Sequence, residues 1–69
     1  MPISGKEAIK ILQKNGFVVV RQRGSHVVLT MQKLGTKYTT VVPNHKELKR
    51  GTIRSISKLA GLDPKDFGL

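Results

Sequence analysis

The sequence contains no cysteine and only four acidic residues among its 69 positions. The absence of cysteine excludes a disulfide framework, a cysteine-ligated zinc site and thiol catalysis, and it fits a reducing compartment. The longest apolar run, residues 17–20, is far shorter than the roughly 20 residues of a transmembrane helix. Residues 1–6 lack the charged and hydrophobic regions of a signal peptide. We therefore expect a cytoplasmic protein that has no membrane association.

The scarcity of carboxylates also argues against a metal-dependent enzyme. Two-metal nucleases need several converging carboxylates to hold their ions. Three of the four acidic residues occupy positions typical of helix N-termini, namely Glu7, Asp63 and Asp66. The two histidines, His26 and His45, would lack a third ligand for zinc. The sequence therefore predicts neither a metal site nor another cofactor.

Positive charge is what the sequence has in excess. Thirteen Lys and Arg residues against four Asp and Glu residues give a net charge of +9. Nucleic acid is the common polyanion that matches such a charge, although solubility or an acidic protein partner would also account for it. Of the aromatic residues Phe17, Tyr38 and Phe67, two fit core positions. Recognition of the nucleic-acid backbone is therefore expected rather than stacking of bases.

The hydrophobic pattern predicts a helix followed by three strands. A capping box of Ser4 and Glu7 begins a helix over residues 5–15, and Gly16 ends it. Alternating and β-branched segments predict strands at residues 17–22, 26–32 and 37–42. Short connections that contain glycine favour an antiparallel meander, which Pro43 ends.

The remainder of the chain predicts a second helix and a capped turn. Apolar positions at helical spacing follow the loop of residues 44–50, namely Ile53, Ile56, Leu59 and Ala60. Gly61 would end this helix, and the turn of residues 63–67 would place Phe67 on the core. The fold class is therefore α+β, as a single domain over residues 1–69. Its three-stranded antiparallel sheet would carry both helices on one face and leave the other face open.

His26 is the first candidate catalytic residue, because it enters the second strand directly after a hairpin turn that follows two arginines. Near neutral pH a histidine can take the proton of an RNA 2′-hydroxyl or protonate the departing 5′-oxygen. A neighbouring cation can stabilise the charge of the crowded phosphate. The remaining candidates at this RNA site are Arg21, Arg23, Gly24, Ser25 and Lys37. The alternative is a half-buried structural histidine in a strand.

The loop before the second helix is a second candidate for phosphate binding. A helix N-terminus offers unpaired amides and a partial positive charge. The RNA-binding candidates in this region are His45, Lys49, Arg50, Thr52 and Arg54. The alternative is a solvated basic loop that has no ligand.

Several motifs at these spacings together make the chain resemble the HicA family of toxin–antitoxin mRNA interferases. The matching segments are Ser4–Glu7, Gly16–Phe17, Arg21–His26, Val42–His45, Glu47–Lys49, Gly51–Ile56 and Ala60–Leu62. Gly24-Ser25-His26 alone would be a weak signal, but together with Val42–His45 and Gly51–Ile56 at these spacings it is a strong one. The sequence departs from the family at Arg50, where relatives often carry proline, and this basic residue leaves the RNA-binding interpretation intact.

The resemblance implies a double-stranded-RNA-binding-like α-β-β-β-α fold and a type II toxin of the stress response. Such a toxin cleaves mRNA without a metal, and its catalytic histidine corresponds to His26. A HicB-like antitoxin would bind it and mask this site. The complex would repress its own operon, so that DNA is contacted only indirectly, through the antitoxin complex.

Two other function classes remain compatible with the sequence. One is a non-catalytic RNA-binding module of the same fold, since +9 explains binding without chemistry. The other is a protein-interaction subunit whose basic face serves only an acidic partner. RNA that stays intact after long incubation would identify the first, and failure to retain RNA at low salt would identify the second.

Overall fold

The structure is a computed structural model that describes residues 3–69. Met1 and Pro2, which belong to the segment considered above for a signal peptide, lie outside the described residues. The elements are α1 (Gly5–Lys14), β1 (Val18–Arg23), β2 (His26–Lys33), β3 (Thr36–Pro43), α2 (Arg50–Ala60) and a final 3₁₀ turn (Pro64–Phe67). This order confirms the α+β prediction of a helix, three strands and a helix.

The first helix begins with the predicted capping box. The Ser4 hydroxyl accepts from the Glu7 amide at 3.1 Å, and the Glu7 carboxylate accepts from the Ser4 amide at 3.0 Å. Both bonds satisfy amides that have no partner within the helix. The helix ends at Lys14, and Gly16 follows with a φ of +92°. This positive φ is why glycine stands at the position predicted to stop the helix.

The three strands form one antiparallel sheet in the order β1-β2-β3. His26, the first residue of β2, lies between Arg23 of β1 and Pro43 of β3. The β1–β2 register shifts between Val19 and Arg21, which marks a β-bulge that the sequence pattern did not predict.

Both helices pack on one face of this sheet and enclose a single core. Its buried apolar side chains are Ala8, Leu12, Phe17, Val27, Leu29, Val42, Leu48, Ile53, Ile56, Ala60 and Phe67. The predicted core position of Phe67 is confirmed, and Phe17 is buried as well. The prediction that Leu59 belongs to the apolar stripe of the second helix is wrong, because Leu59 is 55% exposed. Ser57 completes the buried stripe of α2 instead. None of the helices in residues 3–69 has the length and hydrophobicity to cross a bilayer.

The second helix runs antiparallel to β3. The buried Thr40 hydroxyl donates to the Ile56 carbonyl at 3.2 Å, in the middle of both elements. At the C-terminus of α2, Gly61 lies so close to Tyr38 that a Cβ on Gly61 would be 2.8 Å from the tyrosine ring. The N-terminus of α2 therefore lies at the end of the sheet that holds Pro43, and this is also the end that holds His26.

The opposite face of the sheet, which we call the open face, is covered by none of the helices in residues 3–69. Because directly paired residues share a face, the register places these residues on it: Val18, Arg21, Arg23, His26, Val28, Thr30, Lys37, Thr39 and Val41. The helices lie nearest β3, so β1 forms an uncovered edge and all six of its residues are exposed.

Candidate functional site

His26 lies exposed on the open face, at the mouth of the hairpin that joins β1 and β2. The two-residue turn before it begins with Gly24, whose φ of +55° is unfavourable for other residues. The Gln22 side-chain amide donates to the Gly24 carbonyl at 3.0 Å and braces the turn. The directly paired neighbour of His26 on β1 is Arg23, so a guanidinium and an imidazole stand side by side on one face.

A chain of short backbone hydrogen bonds ties this hairpin to the loop after β3 and to α1. The Ser25 carbonyl accepts from the Asn44 amide at 2.6 Å. The Pro43 carbonyl accepts from the His45 amide at 2.8 Å, and the His45 carbonyl in turn accepts from the Gly5 amide at 2.8 Å. The two histidines therefore lie on segments that are fixed to one another through the backbone.

The N-terminus of α1 packs directly against this loop. A Cβ at Gly5 would lie 2.7 Å from the Asn44 Cα, and closer still to the Pro43 carbonyl oxygen. Only a glycine fits here without displacing backbone atoms. The first turn of α1 therefore belongs to the same end of the molecule as His26.

The N-terminus of α2 joins the same end through the Leu48 amide, which donates to the Ile3 carbonyl at 2.8 Å. The N-cap of α2 is Lys49, whose side chain makes no capping hydrogen bond, and the first turn holds no acidic residue. The positive end of this helix is therefore left uncompensated, in contrast to the capped α1.

We call the region formed by Ser4–Lys6, Gly24–His26 and Pro43–Arg50 the histidine end. It combines both histidines with the N-termini of both α-helices. Most of the site residues predicted from the sequence lie in it or directly beside it: Arg21, Arg23, Gly24, Ser25, His26, His45, Lys49, Arg50, Thr52 and Arg54. An anion that approaches this end meets several cations and the uncompensated N-terminus of α2.

Lys37 is the exception among the predicted residues. It pairs with Gln32, six residues along β3 from Pro43, which is about 20 Å at the rise of an extended strand. Although it shares the open face with His26, it lies at the opposite end of the sheet. Lys37 therefore cannot stabilise charge on a phosphate that reacts at His26.

Two surface depressions lie at the histidine end. The larger, of about 490 Å³, is lined by Glu47, Leu48, Lys49, Arg50, Ile53, Arg54, Gly68 and Leu69. The smaller, of about 260 Å³, is lined by Ser4, Lys6, Asn44, His45 and Lys46. Neither lining includes His26, which stands on open surface between strands. An exposed histidine of this kind suits a long polymer better than a small enclosed substrate.

The structure adds residues that sequence reasoning did not select. Lys6 and Lys46 carry positive charge beside His45, and Asn44 completes that depression. Gln22 braces the turn before His26. No local pattern distinguishes Lys6, Asn44 and Lys46, because their placement depends on how the loop after β3 packs against α1. The described residues 3–69 bring together no group of three His, Cys, Asp or Glu side chains that could hold a metal ion.

Comparison with known proteins gives one family match. The sequence model of the family described as HicA toxin of bacterial toxin-antitoxin matches residues 5–62. The matched segment includes both α-helices, all three strands and both histidines. No curated protein shows significant similarity to the chain.

Proposed function

Since this chain belongs to the HicA family of bacterial toxin–antitoxin toxins, we propose that it is a metal-independent endoribonuclease that cleaves mRNA. Family membership makes it the toxin of a toxin–antitoxin system. The observation that carries the finer proposal is the pairing of an exposed His26 with Arg23 on the open face, at an end rich in positive charge. These groups match the needs of RNA self-cleavage.

In the proposed reaction, the 2′-oxygen of a ribose attacks the adjacent phosphorus. The O2′–P bond forms and the P–O5′ bond breaks, while the 2′-hydroxyl loses a proton and the 5′-oxygen gains one. His26 serves as the general base or the general acid in this transfer. The products carry a 2′,3′-cyclic phosphate and a 5′-hydroxyl, so no water and no metal enter the cleavage step.

Arg23 and Arg21 are proposed to stabilise the extra negative charge that develops on the phosphate oxygens. Both lie on the open face, and Arg23 is the cross-strand neighbour of His26. A guanidinium that is already in place gains interaction energy as that charge grows. Gly24 and Ser25 shape the turn that brings these groups together.

The rest of the histidine end is proposed to hold the RNA backbone. The unpaired amides of the first turn of α2, together with its cations, form a surface for phosphates that flank the cleaved bond. The proposed contacts are His45, Lys49, Arg50, Thr52 and Arg54. Recognition by charge fits a protein whose two phenylalanines are both buried.

We propose that the antitoxin partner is HicB-like and that it neutralises the toxin by covering His26. Contact with operator DNA would come only indirectly, through the antitoxin complex. We expect no membrane partner and a cytoplasmic location, where mRNA is present.

Replacement of the proposed catalytic residue tests the function. Purified His26→Ala is expected to cleave mRNA at least about 100-fold more slowly than the native chain, since general acid–base catalysis contributes about 10²- to 10⁴-fold. His45→Ala is the matched control, because it removes the other exposed histidine of the same end and should mainly weaken binding. Gel analysis of mRNA incubated in excess EDTA measures the cleavage rates of the native chain and of both variants.

Three results would contradict the proposal. They are full activity of His26→Ala, loss of native cleavage in EDTA, and products that carry 5′-phosphate ends. RNA that is bound but never cut by the native chain would favour the non-catalytic module instead. Circular dichroism of each variant checks that the fold is retained, which we expect because both histidines are exposed.

A modified substrate distinguishes the two roles of His26. Sulfur in place of the bridging 5′-oxygen gives a leaving group that departs without protonation. If His26 is the general acid, His26→Ala should cleave this substrate nearly as fast as the native chain. If His26 is the general base, the defect of the variant should persist.

A further inference from the structure

Within residues 3–69, the outer edge of β1 has no partner strand. β1 pairs only with β2, and all six of its residues are exposed. Val18, Val19 and Val20 are 57%, 45% and 55% exposed, in one uninterrupted run. Proteins usually protect such an edge by covering it or by charging it, because it offers unpaired backbone groups to another strand.

We propose that this edge is a docking site for an extended, acidic segment of the antitoxin, which adds a fourth strand beside β1. The choice of an antitoxin as occupant follows from family membership, which implies such a partner. Only its effect on cleavage rests on the function proposed above.

The backbone chemistry of the edge favours a protein strand over RNA. An exposed strand edge presents N–H donors and C=O acceptors in regular alternation. Another strand satisfies both kinds of group, whereas a phosphate offers only acceptors and leaves the carbonyls unpaired. The three valines likewise match apolar side chains rather than phosphates.

The charge distribution selects the chemistry of the incoming strand. Arg21 and Arg23 continue β1 beyond the valines, and both lie on the open face. A segment with carboxylates opposite these arginines and apolar residues opposite Val18–Val20 matches the edge along its length. A second copy of this chain does not match, because each copy carries +9 and the two would repel.

The other edge of the sheet lacks these features. On β3 the exposed residues are mainly polar, and Val41, at 40% exposed, is the one large hydrophobic residue among them. This contrast makes β3 a natural control for β1.

Docking at β1 would place the antitoxin beside Arg23, next to the part that is proposed to cover His26. Adjacent strands lie about 4.8 Å apart, so the added strand would run roughly 10 Å from β2. Its carboxylates would engage Arg21 and Arg23, which are the groups proposed to stabilise the reacting phosphate. When it binds the β1 edge, the antitoxin would thus neutralise the two arginines that are proposed to stabilise charge on the reacting phosphate.

The test compares two double variants that add the same charge to the two edges. Val18→Lys/Val20→Lys alters β1, and Thr39→Lys/Val41→Lys alters β3. The probe is a purified HicB-like antitoxin, with its affinity for each purified full-length variant measured by calorimetry. We expect the β1 variant to bind at least 10-fold more weakly, and the β3 variant to stay within about 2-fold of the native chain. Since added lysines would strengthen attraction to an acidic partner, the loss must come from the blocked edge.

Amide hydrogen exchange gives a second measurement that needs no variant. In the complex, the outward amides of residues 18–23 should exchange at least 10-fold more slowly than in the free chain, and those of residues 36–42 should change little. Equal losses in both double variants, or unprotected β1 amides in the complex, would overturn the proposal.

The competing occupants give distinct outcomes. A β1 double variant that loses affinity for an uncleavable 2′-O-methyl RNA, but not for the antitoxin, would show an RNA surface and overturn the proposal. A dimer of the free chain that the same variant dissociates would show self-association and also overturn it.

Cleavage by the free β1 variant should equal that of the native chain. If the native chain cleaves no RNA, the proposed function fails while the binding test still decides the docking site.

Discussion

Single residues at the β2–β3 hairpin adopt a backbone conformation that favours particular side chains. The turn consists of Leu34 and Gly35, with φ values of +51° and +80°. Positive φ at both positions is the pattern of a type I′ turn, for which Asn-Gly is the preferred pair. Leu34 is the one described residue other than glycine with a positive φ, and it is 95% exposed. It therefore carries strain that no packing offsets.

Replacement of Leu34 should stabilise the protein. Leu34→Asn is expected to raise the free energy of unfolding by about 1 kcal/mol, because asparagine tolerates the left-handed region in which leucine is strained by about 1–2 kcal/mol. Urea denaturation measures the change. Leu34→Ala is the control, since alanine keeps the strained Cβ and should give little gain. Equal stabilisation by both variants would show that removal of an exposed leucine, rather than relief of strain, is the cause.

At the scale of elements, the two α-helices begin in opposite ways. Ser4 and Glu7 cap α1 fully, whereas Lys49 at the N-cap of α2 leaves the first amides without a side-chain partner. A lysine is a poor N-cap because it has no acceptor and carries the wrong sign for the helix dipole. The same lysine adds charge to a surface proposed to bind phosphate.

Two substitutions at Lys49 should separate stability from binding. Lys49→Ser is expected to raise the free energy of unfolding by about 1 kcal/mol, since serine can accept from a free amide of the first turn. It should also weaken RNA binding, because one cation is lost. Lys49→Ala should weaken binding equally without the full gain in stability. Denaturation and fluorescence anisotropy with uncleavable RNA measure the two effects, and undiminished binding in both variants would remove Lys49 from the RNA surface.

The elements themselves could be predicted from the sequence, because their signals are local. The capping box at Ser4, the valine-rich strands and the apolar spacing from Ile53 to Ala60 each lie within one element. The bulge after Val19 has no such signal, since it depends on how β1 fits β2. The exposure of Leu59 likewise depends on which side of α2 the sheet covers.

The candidate site could be predicted only in part, for a related reason. His26, Arg23 and the turn between them are neighbours in sequence, so the hairpin alone places them together. Lys37 was grouped with them from charge, but the strand register puts it at the other end of the sheet. The proximity of Lys6 to His45 depends on how the loop after β3 packs against the N-terminus of α1, which no local pattern encodes.

At the scale of the whole molecule, thirteen cations and four acidic residues leave a net charge of +9 on a chain of 69 residues. Three of the acidic residues serve as helix caps: Glu7, Asp63 and Asp66. The positive field therefore covers much of the surface, yet the fold concentrates helix N-termini at one end. Overall charge and local geometry make different predictions for where RNA binds.

Two substitutions that remove one charge each distinguish these possibilities. Arg50→Gln, at the histidine end, is expected to reduce the slope of log affinity against log salt by about 0.7, the value for one lost phosphate contact of a single strand. Lys37→Gln, at the far end of the sheet, should leave the slope nearly unchanged. Titrations of uncleavable RNA at several salt concentrations measure both slopes. Equal changes would mean that RNA follows net charge rather than the histidine end.

The histidine end is built from three segments that are distant in sequence: residues 4–6, 24–26 and 43–50. The core that holds them together includes Ile53 and Ile56 of α2. A ribosome must therefore synthesise and release most of the chain before these segments can meet. A nascent chain that ends at β3 would carry His26 without the helix and loop that surround it. A folded toxin therefore exists only after α2 has been synthesised and released, and this order separates synthesis of His26 from its action.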